Sequence, residues 1–237
     1  MKSILITGAS SGIGRASAEK FLAAGWQVGL VARRKDILEE MASAHGGAIA
    51  LPADVTDAEA IAGVFAKFMA ETGRLDAIFN NAGMFGPAAT IDEVSLDDFD
   101  QVVAVNLRGM FIAARLAFAH MRGQSPQGGR IINNGSISAY TPRENSVCYT
   151  TTKHAVTGLT KTLSLDGRPF DIACGQIDIG NAETELVAGI KKNYPGLPTM
   201  EVKEAAGAVL HMAELPLEAN VQFMTIMATK MPYIGRG

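Results

Sequence analysis

Short apolar runs alternate with helical stretches along most of the chain. The runs are almost entirely apolar, as strands buried on both faces of a sheet are. Such alternation predicts βαβ units and a parallel sheet that helices cover on both sides. We therefore expect a doubly wound α/β fold, formed as a single domain over residues 1–237. The predicted strands are residues 3–6, 27–31, 48–51, 77–79, 130–133, 171–177 and 220–227.

A glycine-rich turn joins the first predicted strand to a helical stretch. Its residues are Thr7, Gly8, Ala9, Ser10, Ser11, Gly12, Ile13 and Gly14. A strand, a glycine-rich turn and a helix N-terminus together present backbone N–H groups to a pyrophosphate. Gly8 permits the tight turn, Gly12 lets the backbone approach the phosphate, and Gly14 allows the helix to pack on the strand. The pattern predicts dinucleotide binding by a Rossmann-type fold, with a merely flexible connector as the alternative.

Tyr149 and Lys153 stand four residues apart in a predicted helix, so their side chains share one face. A positive charge about 5 Å from a phenol favours the phenolate by roughly 3 kcal/mol at an effective dielectric constant of ~20. This would lower the pKa of Tyr149 by about two units from its ordinary value near ~10. Tyr149 would then exchange protons near neutral pH. Ser136, thirteen residues earlier, could hold a carbonyl or alcohol oxygen against the phenol.

Together these segments resemble the short-chain dehydrogenases/reductases, in their compact single-domain branch. The resemblance runs from residue 3 to about residue 184, with motifs in the family's order: Thr7-Gly-x-x-x-Gly-x-Gly14, Asn80-Asn81-Ala82-Gly83, Asn106, Ser136, Tyr149 and Lys153. It implies hydride transfer between a nicotinamide and a carbonyl or secondary alcohol. Tyr149 would be the general acid and base, with Lys153 on the nicotinamide ribose and Ser136 on the substrate oxygen. Asn106 would hold a water that links Lys153 to solvent. Ser138 competes with Ser136, but only Ser136 has the family's spacing to the tyrosine.

Further cofactor contacts follow from the same resemblance. Asp54 and the Val55 backbone are expected at the adenine ring, although Thr56 or Asp57 also reads as the cap of the next helix. The complete predicted cofactor set is Gly8, Ser10, Ser11, Gly12, Ile13, Gly14, Arg33, Arg34, Asp54, Val55, Asn81, Ala82, Gly83, Tyr149, Lys153, Gly180 and Thr184.

The residues after the second predicted strand favour NADP(H) over NAD(H). A ribose without a 2′-phosphate usually meets a carboxylate there, whereas a phosphorylated ribose needs cationic donors. Here Arg33 and Arg34 follow the strand, and no acid comes before Asp36. We predict Arg33 as the main phosphate contact, supported by Ser10, Ser11 or Arg34. The alternative is that these cations only solvate the start of a helix.

The segment after the sixth predicted strand departs from the family pattern. Ile179 stands where a proline normally precedes the glycine, while Gly180 and Thr184 keep their places. Loss of proline frees φ and restores an N–H donor, so we expect a loop that is looser or differently bonded. The predicted lid from Thr184 to Tyr194 is short, which favours a modest substrate or an open pocket.

Composition and charge exclude several classes of function. A net charge of −3 without runs of like charge argues against nucleic acid or an anionic membrane as a partner. We expect no stretch apolar enough to span a bilayer and no cleavable signal before the first strand, which predicts a cytoplasmic protein. Two cysteines and four histidines without ligand spacing imply no metal.

Partners and activity leave alternatives open. In the resembled family, helices equivalent to residues 96–121 and 147–165 pack against another subunit, so the resemblance implies a homo-oligomer, dimer or tetramer. The expected substrate is a small carbonyl or alcohol compound, and Arg143 reads equally as a surface charge and as an anion clamp. Residues 228–237 are expected to form an irregular tail, either docked or mobile. A catalytically silent NADP(H)-binding sensor or scaffold is the alternative to an enzyme.

Overall fold

The structure is a computed structural model of the chain that describes residues 1–191 and 196–234, without the side chains of residues 186 and 190. In these ranges the strands are β1 (Ser3–Thr7), β2 (Gln27–Ala32), β3 (Ala48–Pro52), β4 (Ala77–Asn80), β5 (Gly129–Asn134), β6 (Ile172–Gly180) and β7 (Phe223–Met227). The α-helices are α1 (Gly12–Ala23), α2 (Lys35–Ala44), α3 (Ala58–Thr72), α4 (Leu96–Val103), α5 (Met110–Gly123), α6 (Val147–Gly167), α7 (Glu185–Lys191) and α8 (Val202–Glu214). A π-helical segment, Ala104–Gly109, joins α4 to α5.

The seven strands form one parallel sheet in the order β3-β2-β1-β4-β5-β6-β7. From β1 the chain moves outward to β3, and from β4 it moves outward to β7 on the other side. The direction therefore reverses between β1 and β4, and in such sheets ligands bind outside the carboxyl ends of the strands at this reversal. The order and the flanking helices confirm the predicted doubly wound, Rossmann-type α/β fold.

The core lies on both faces of the sheet, which explains why the strands are continuously apolar. Ile4 and Ile6 face a cluster that includes Phe21 of α1 and Val209 of α8. Leu5 faces the opposite cluster, to which α3 and α5 contribute, among others, Phe65, Phe68, Ala113 and Ala117. Alternate residues of one strand thus enter two different cores, and neither face of the strand can be polar.

The last two strands differ in length from their prediction. Strand β6 continues to Gly180 because Ile179 pairs with Ile226 and Gly180 with Met227. Strand β7 begins only at Phe223. The Asn220 side chain, which precedes it, accepts a hydrogen bond from the fully buried Arg130 and donates one to the Cys174 carbonyl. These contacts hold residue 220 outside the ladder.

The continuous helix Leu96–Gly123 is long and apolar enough to cross a membrane by length and composition alone, with a mean hydropathy of 1.6 in its most apolar window. The expectation that no stretch is apolar enough to span a bilayer is therefore wrong. Helices that cover a parallel sheet are often this apolar because one side joins the core, and Val102, Ala113 and Ala117 are buried here. The cytoplasmic location and the lack of membrane or nucleic-acid partners stay predictions.

Candidate active site

A cavity of about 680 Å³ opens at the carboxyl ends of the strands, where the sheet order reverses. It is lined by every residue of the predicted cofactor set except Gly14, and by every predicted catalytic residue except Asn106. The motifs that are far apart in sequence therefore meet in one continuous space. Lining residues that the sequence reasoning did not assign to the site include Met84, Phe85, Gln101, Asn134, Glu185 and Met231.

The glycine-rich turn has the geometry that the sequence predicted. Gly8 and Gly12 adopt φ values of 70° and 52°, which favour glycine. A Cβ atom on Gly14 would lie 2.2 Å from the Gly8 carbonyl oxygen. No side chain fits at that distance, so Gly14 is required for helix α1 to pack against the turn.

The N-terminus of α1 is open to an anion. Ser11 is the N-cap in an extended conformation and its side chain caps no N–H group of the helix. The first turn also contains no acidic residue. Unpaired N–H groups and the helix dipole therefore favour a negative group beside Ser11 and Gly12.

Arg33 and Arg34 line the cavity next to the end of β2. The Arg34 Nε and Nη2 atoms donate to Ser10 Oγ at 3.1 and 3.0 Å, which ties this arginine to the glycine-rich turn. Arg33 is largely exposed, and its Nη1 lies 3.9 Å from Asp54 Oδ2. The Thr56 backbone N–H and hydroxyl both donate to Asp54 Oδ1. These hydrogen bonds, together with the positive charge of Arg33, lower the pKa of the Asp54 carboxyl, although burial acts to raise it. Of the two predicted caps, Asp57 is the one that caps α3.

The segment after β4 is held by amide side chains. The Asn81 Nδ2 donates to the Thr7 carbonyl at 3.0 Å and its Oδ1 accepts from Asn134 Nδ2 at 2.9 Å. The backbone N–H groups of Asn81 and Ala82 both donate to the Thr7 hydroxyl. Asn81 therefore links the ends of β1, β4 and β5.

Asn106 is fully buried in the π-helical segment and braces the same region. Its Oδ1 accepts from the Met84 N–H at 2.8 Å, and its Nδ2 donates to the Met84 carbonyl at 2.8 Å and to Thr152 Oγ1 at 3.2 Å. A single π-helical turn inside a helix is common at functional sites. The side chain lies behind the cavity wall, and its predicted role on a water stays a prediction.

The predicted lowering of the Tyr149 pKa is wrong. Desolvation raises the pKa of the phenol, while the Ser136 hydroxyl and the Arg143 charge oppose that rise. The Lys153 Nζ lies 5.4 Å from the centre of the Tyr149 ring and donates to the Asn134 carbonyl at 2.6 Å. Burial also lowers the pKa of Lys153 to about 8, against the opposing charge of Asp178. The spacing of the two residues indicates the charge on the neighbour but not the free-energy cost of burying both groups.

Ser136 and Ser138 occupy different places at the end of β5. Ser136 is buried and its hydroxyl faces the phenol, where it favours the phenolate. Its Oγ also accepts from the Ser138 N–H at 3.1 Å. The Ser138 hydroxyl is buried and has no hydrogen-bond partner among the described residues. The geometry supports Ser136, which the spacing had favoured, as the partner of Tyr149.

Beneath this turn lies a buried polar cluster that the sequence reasoning missed, consisting of Asn80, Asn133, Thr160, Gln176 and Asp178. Hydrogen bonds connect the five in that order: Asn80 Nδ2 to Asn133 Oδ1 (3.0 Å), Asn133 Nδ2 to Thr160 Oγ1 (2.9 Å), Thr160 Oγ1 to Gln176 Oε1 (3.2 Å) and Gln176 Nε2 to Asp178 Oδ1 (2.7 Å). A signal was present, since two polar residues at alternate positions interrupt an otherwise apolar β6 near its carboxyl end.

The loop after β6 is held by hydrogen bonds to residues 198–200. Ile179, which stands at the position of the family's proline, and Gly180 stay in the sheet and pair with β7. Beyond them, Asn181 Nδ2 donates to the Pro198 carbonyl and Ala182 bridges to Met200. Thr184 then begins α7 with a hydroxyl that accepts from the Val187 N–H. The predicted lid extends into residues 192–195, including Tyr194, which lie outside the described residues.

The first residues of the tail are docked, whereas Ile234 is exposed. The Ala228 N–H donates to the Gly180 carbonyl at 3.3 Å, Ala228 is buried, and Met231 lines the cavity. The tail therefore supplies part of the cavity wall beside Gly180. Residues 235–237 of the predicted tail lie outside the described residues.

The family model described as short chain dehydrogenase matches residues 2–195. The 3beta-hydroxysteroid dehydrogenase of Mediterraneibacter gnavus is 33% identical over 189 residues, which are 78% of this chain and 67% of that protein. The 2-(R)-hydroxypropyl-CoM dehydrogenase of Xanthobacter autotrophicus is 35% identical over 189 residues, 77% of this chain and 75% of that protein.

Solved structures share the fold over nearly the whole chain. The 3-ketoacyl-(acyl-carrier-protein) reductase from Brucella melitensis, complexed with NADH, has a TM-score of 0.89 at 27% identity and covers 96% of this chain and 97% of its own. ElxO, with NADP bound, has a TM-score of 0.87 at 26% identity and covers 95% of this chain and 96% of its own. Both neighbours hold a nicotinamide cofactor, but they differ in its form. The likeness therefore supports a nicotinamide cofactor but does not distinguish NAD from NADP.

Proposed function

The chain belongs to the short chain dehydrogenase family of oxidoreductases. We propose that it is an NADP(H)-dependent enzyme built as a single domain. It would transfer a hydride between nicotinamide and a small carbonyl or secondary alcohol compound. One observation carries the proposal. Ser136, Tyr149 and Lys153 line the same cavity as the glycine-rich turn. An anion-binding end and a proton-transferring end thus share one space.

The residues present fit a nicotinamide dinucleotide. The turn at Gly8 and Gly12 brings backbone to the cavity without side chains, and the N-terminus of α1 has no acid to repel a pyrophosphate. Arg33 and Arg34 would bind the 2′-phosphate of NADP(H), because guanidinium groups form charge-assisted hydrogen bonds with phosphate. Asp54 and Val55 would contact the adenine, and Asn81 with Lys153 the nicotinamide ribose.

The side chains of this protein would handle the proton. The bound nicotinamide supplies or accepts the hydride. In the reduction Tyr149 gives its proton to the carbonyl oxygen and regains one from solvent; in the oxidation it takes the hydroxyl proton and releases it. The Ser136 hydroxyl holds this oxygen beside the phenol. The Lys153 charge stabilises the phenolate that forms when the tyrosine has given up its proton.

Tyr149→Phe tests the catalytic assignment. We expect kcat to fall at least ~100-fold, because general acid–base catalysis contributes about 10² to 10⁴. The dissociation constant of NADPH, measured by fluorescence titration, should stay within about twofold. Tyr233→Phe, which removes a hydroxyl outside the cavity lining, is the matched control and should leave kcat unchanged. NADPH binding without turnover on a broad panel of ketones, aldehydes and alcohols would instead favour the silent sensor or scaffold.

Arg33→Ala tests the cofactor assignment. We expect kcat/KM for NADPH to fall about tenfold, equivalent to about 1.4 kcal/mol, with kcat/KM for NADH unchanged. Arg122→Ala removes a cation that lies over the Phe170 ring and serves as the control. A lower KM for NADH than for NADPH in the wild-type protein would contradict the assignment.

We also propose that the protein is a homo-oligomer that associates through α5 and α6. A groove between these helices is lined by apolar residues that include Phe111, Phe118, Leu159 and Leu163. Phe111 is 51% exposed and Leu165 57% exposed. A second copy of the same helices would bury this surface. Light scattering should give at least a dimer mass, and Phe111→Glu should lower that mass; a wild-type monomer would contradict the proposal.

A further inference from the structure

Arg143 places a positive charge at the proton-transferring end of the cavity. It lies in the loop between Ser138 and α6 and lines the cavity with Ser136 and Tyr149. Its guanidinium carbon is 5.8 Å from the centre of the Phe85 ring, and Phe85 meets Tyr149 edge-on with ring centres 4.8 Å apart. The charge is close enough to favour the Tyr149 phenolate.

The donors of Arg143 are available to a ligand. Within residues 1–191 and 196–234 the side chain of Arg143 forms no ion pair within 4.0 Å and no hydrogen bond, whereas the other cations of the cavity are engaged. Arg34 binds Ser10, Arg33 faces Asp54, and Lys153 binds the Asn134 carbonyl. A guanidinium offers five donors in a fork that matches a carboxylate.

We propose that the substrate carries a carboxylate and that Arg143 binds it while Tyr149 and Ser136 hold the reacting oxygen. This inference rests on the proposed hydride transfer and adds the substrate class to it: a small oxo acid or the corresponding hydroxy acid. The carboxylate takes no part in the bond changes. Its binding orients the carbonyl toward the phenol and selects the substrate.

Oxo acids of four to six carbons, with the oxo group at position 2, 3 or 4, should be compared with their methyl esters at saturating NADPH. We expect a kcat/KM at least about tenfold higher for one acid than for its ester, a ratio that corresponds to about 1.4 kcal/mol. Arg143→Gln should remove this preference, mainly through a higher KM for the acid. Because the Arg143 charge also acts on the Tyr149 phenolate, any change in kcat should be the same for the acid and the ester. Glu185→Gln, which removes a charge from the same cavity, should keep the preference. Equal rates for acid and ester in the wild type, or an equal loss for both in Arg143→Gln, would overturn the proposal.

A binding measurement separates this inference from the proposed activity. Butanoate and butanamide should be titrated against the NADP⁺ complex by equilibrium dialysis. Butanoate should bind more tightly, and Arg143→Gln should cancel the difference, even if no tested compound is turned over. In that case the substrate class would stand while the hydride transfer would fail. Equal binding of the two compounds would overturn the carboxylate site whatever the activity.

A second inference concerns Asp178, which is fully buried in the polar cluster under the turn. Its Oδ1 accepts from the Ser136 N–H at 2.8 Å and from Gln176 Nε2 at 2.7 Å, and its Oδ2 accepts no hydrogen bond within the described residues. Lys153 and Tyr140 face the carboxyl with a charge and a hydroxyl. Its own charge also acts on Tyr149.

We infer that Asp178 is a positioning residue. It fixes the turn at Ser136 by accepting a hydrogen bond from the Ser136 backbone N–H, and its negative charge acts on both Lys153 and Tyr149. Buried carboxylates that receive backbone N–H groups hold local geometry strongly. The negative charge of Asp178 raises the pKa of both Lys153 and Tyr149. For Lys153 this opposes the effect of burial, and for Tyr149 it adds to that effect. The same residue therefore links the geometry of the serine to the protonation of the other two.

Asp178→Asn keeps the shape and an oxygen for the Ser136 N–H but removes the charge. Without that charge, the pKa values of Lys153 and Tyr149 both fall, so both limbs of the pH profile of kcat should move to lower pH. Asp178→Glu retains the charge and should return the limbs toward their wild-type positions. An unchanged profile in Asp178→Asn, with the variant folded as judged by circular dichroism, would overturn the electrostatic role.

Discussion

The glycine-rich turn and the buried polar cluster hold the two ends of the cavity by different means. The turn, residues 7–14, is continuous in sequence and acts through its backbone: two glycines at positive φ, and a third that leaves no room for a Cβ atom. The cluster joins β4, β5, α6 and β6, and it acts through side chains that lie far apart in sequence. The turn involves no ionisable group, whereas the cluster includes one carboxyl and adjoins Lys153.

The two kinds of site are therefore vulnerable to opposite changes. A backbone cradle fails when a side chain is added, because the backbone cannot move away cheaply. A buried network fails when a side chain is removed, because its partners are left without hydrogen bonds. The turn should therefore control cofactor binding, and the cluster should control stability and the pH range of activity.

Gly14→Ala should have the largest effect, because its Cβ atom would meet the Gly8 carbonyl oxygen at 2.2 Å. We expect the free energy of unfolding to fall by about 3 kcal/mol and NADPH binding to weaken beyond detection by fluorescence titration. The control is Gly63→Ala in α3, where nothing lies within 4 Å of the added atom. That change should stabilise the helix by about 0.5 to 1 kcal/mol. Wild-type NADPH affinity in Gly14→Ala would refute the backbone explanation.

Asn133→Ala breaks the cluster in the opposite way. It removes the acceptor for Asn80 Nδ2 and the donor to Thr160 Oγ1, both of which are buried. We expect a loss of about 2 kcal/mol in the free energy of unfolding, measured by urea titration, while NADPH affinity stays within about twofold. Gln127→Ala removes an exposed amide and should change stability by less than about 0.5 kcal/mol. If Asn133→Ala abolished NADPH binding, the proposed division between the two regions would be wrong.

Lys153→Met removes a buried charge beside the cluster. Burial lowers the pKa of Lys153 from 10.5 to about 8, so the charged form destabilises the folded chain below pH 8. The variant also loses the hydrogen bond to the Asn134 carbonyl, and we expect a net gain of about 1 kcal/mol in the free energy of unfolding at pH 7. Activity should be lost, because the charge that stabilises the phenolate is gone.

The sign of the pH dependence follows from the same shift. Below pH 8 Lys153 is charged in both the folded and the unfolded chain, and the full burial cost is present. Between pH 8 and 10.5 the unfolded chain binds the proton that the folded chain has released, so the wild type gains stability as pH rises. The advantage of Lys153→Met should therefore shrink across this range. An advantage independent of pH would show that burial of the charge is not its cause.

Much of the candidate site was predicted from residue patterns in the sequence. Ser10, Arg33, Asp54, Ser136, Tyr149 and Lys153 line the predicted cavity because each stands at the carboxyl end of a strand or on the helix beside it. The direction of the Tyr149 pKa shift was predicted wrongly, since the spacing of two residues says nothing about how deeply both are buried. Asp178 and Phe85 were missed because each acts through partners distant in sequence.

The alternation of strands and helices and the turn at residues 7–14 follow from the sequence alone, which also predicted residues that share one cavity. These features are local: a run of apolar residues, a glycine that alone tolerates a conformation, two side chains one helical turn apart. Tertiary structure alone decided the order of the strands, the extension of β6 through Ile179 and the bonds of the buried polar cluster. It also decided the pKa values, because desolvation depends on every neighbour that excludes water and not on any one residue.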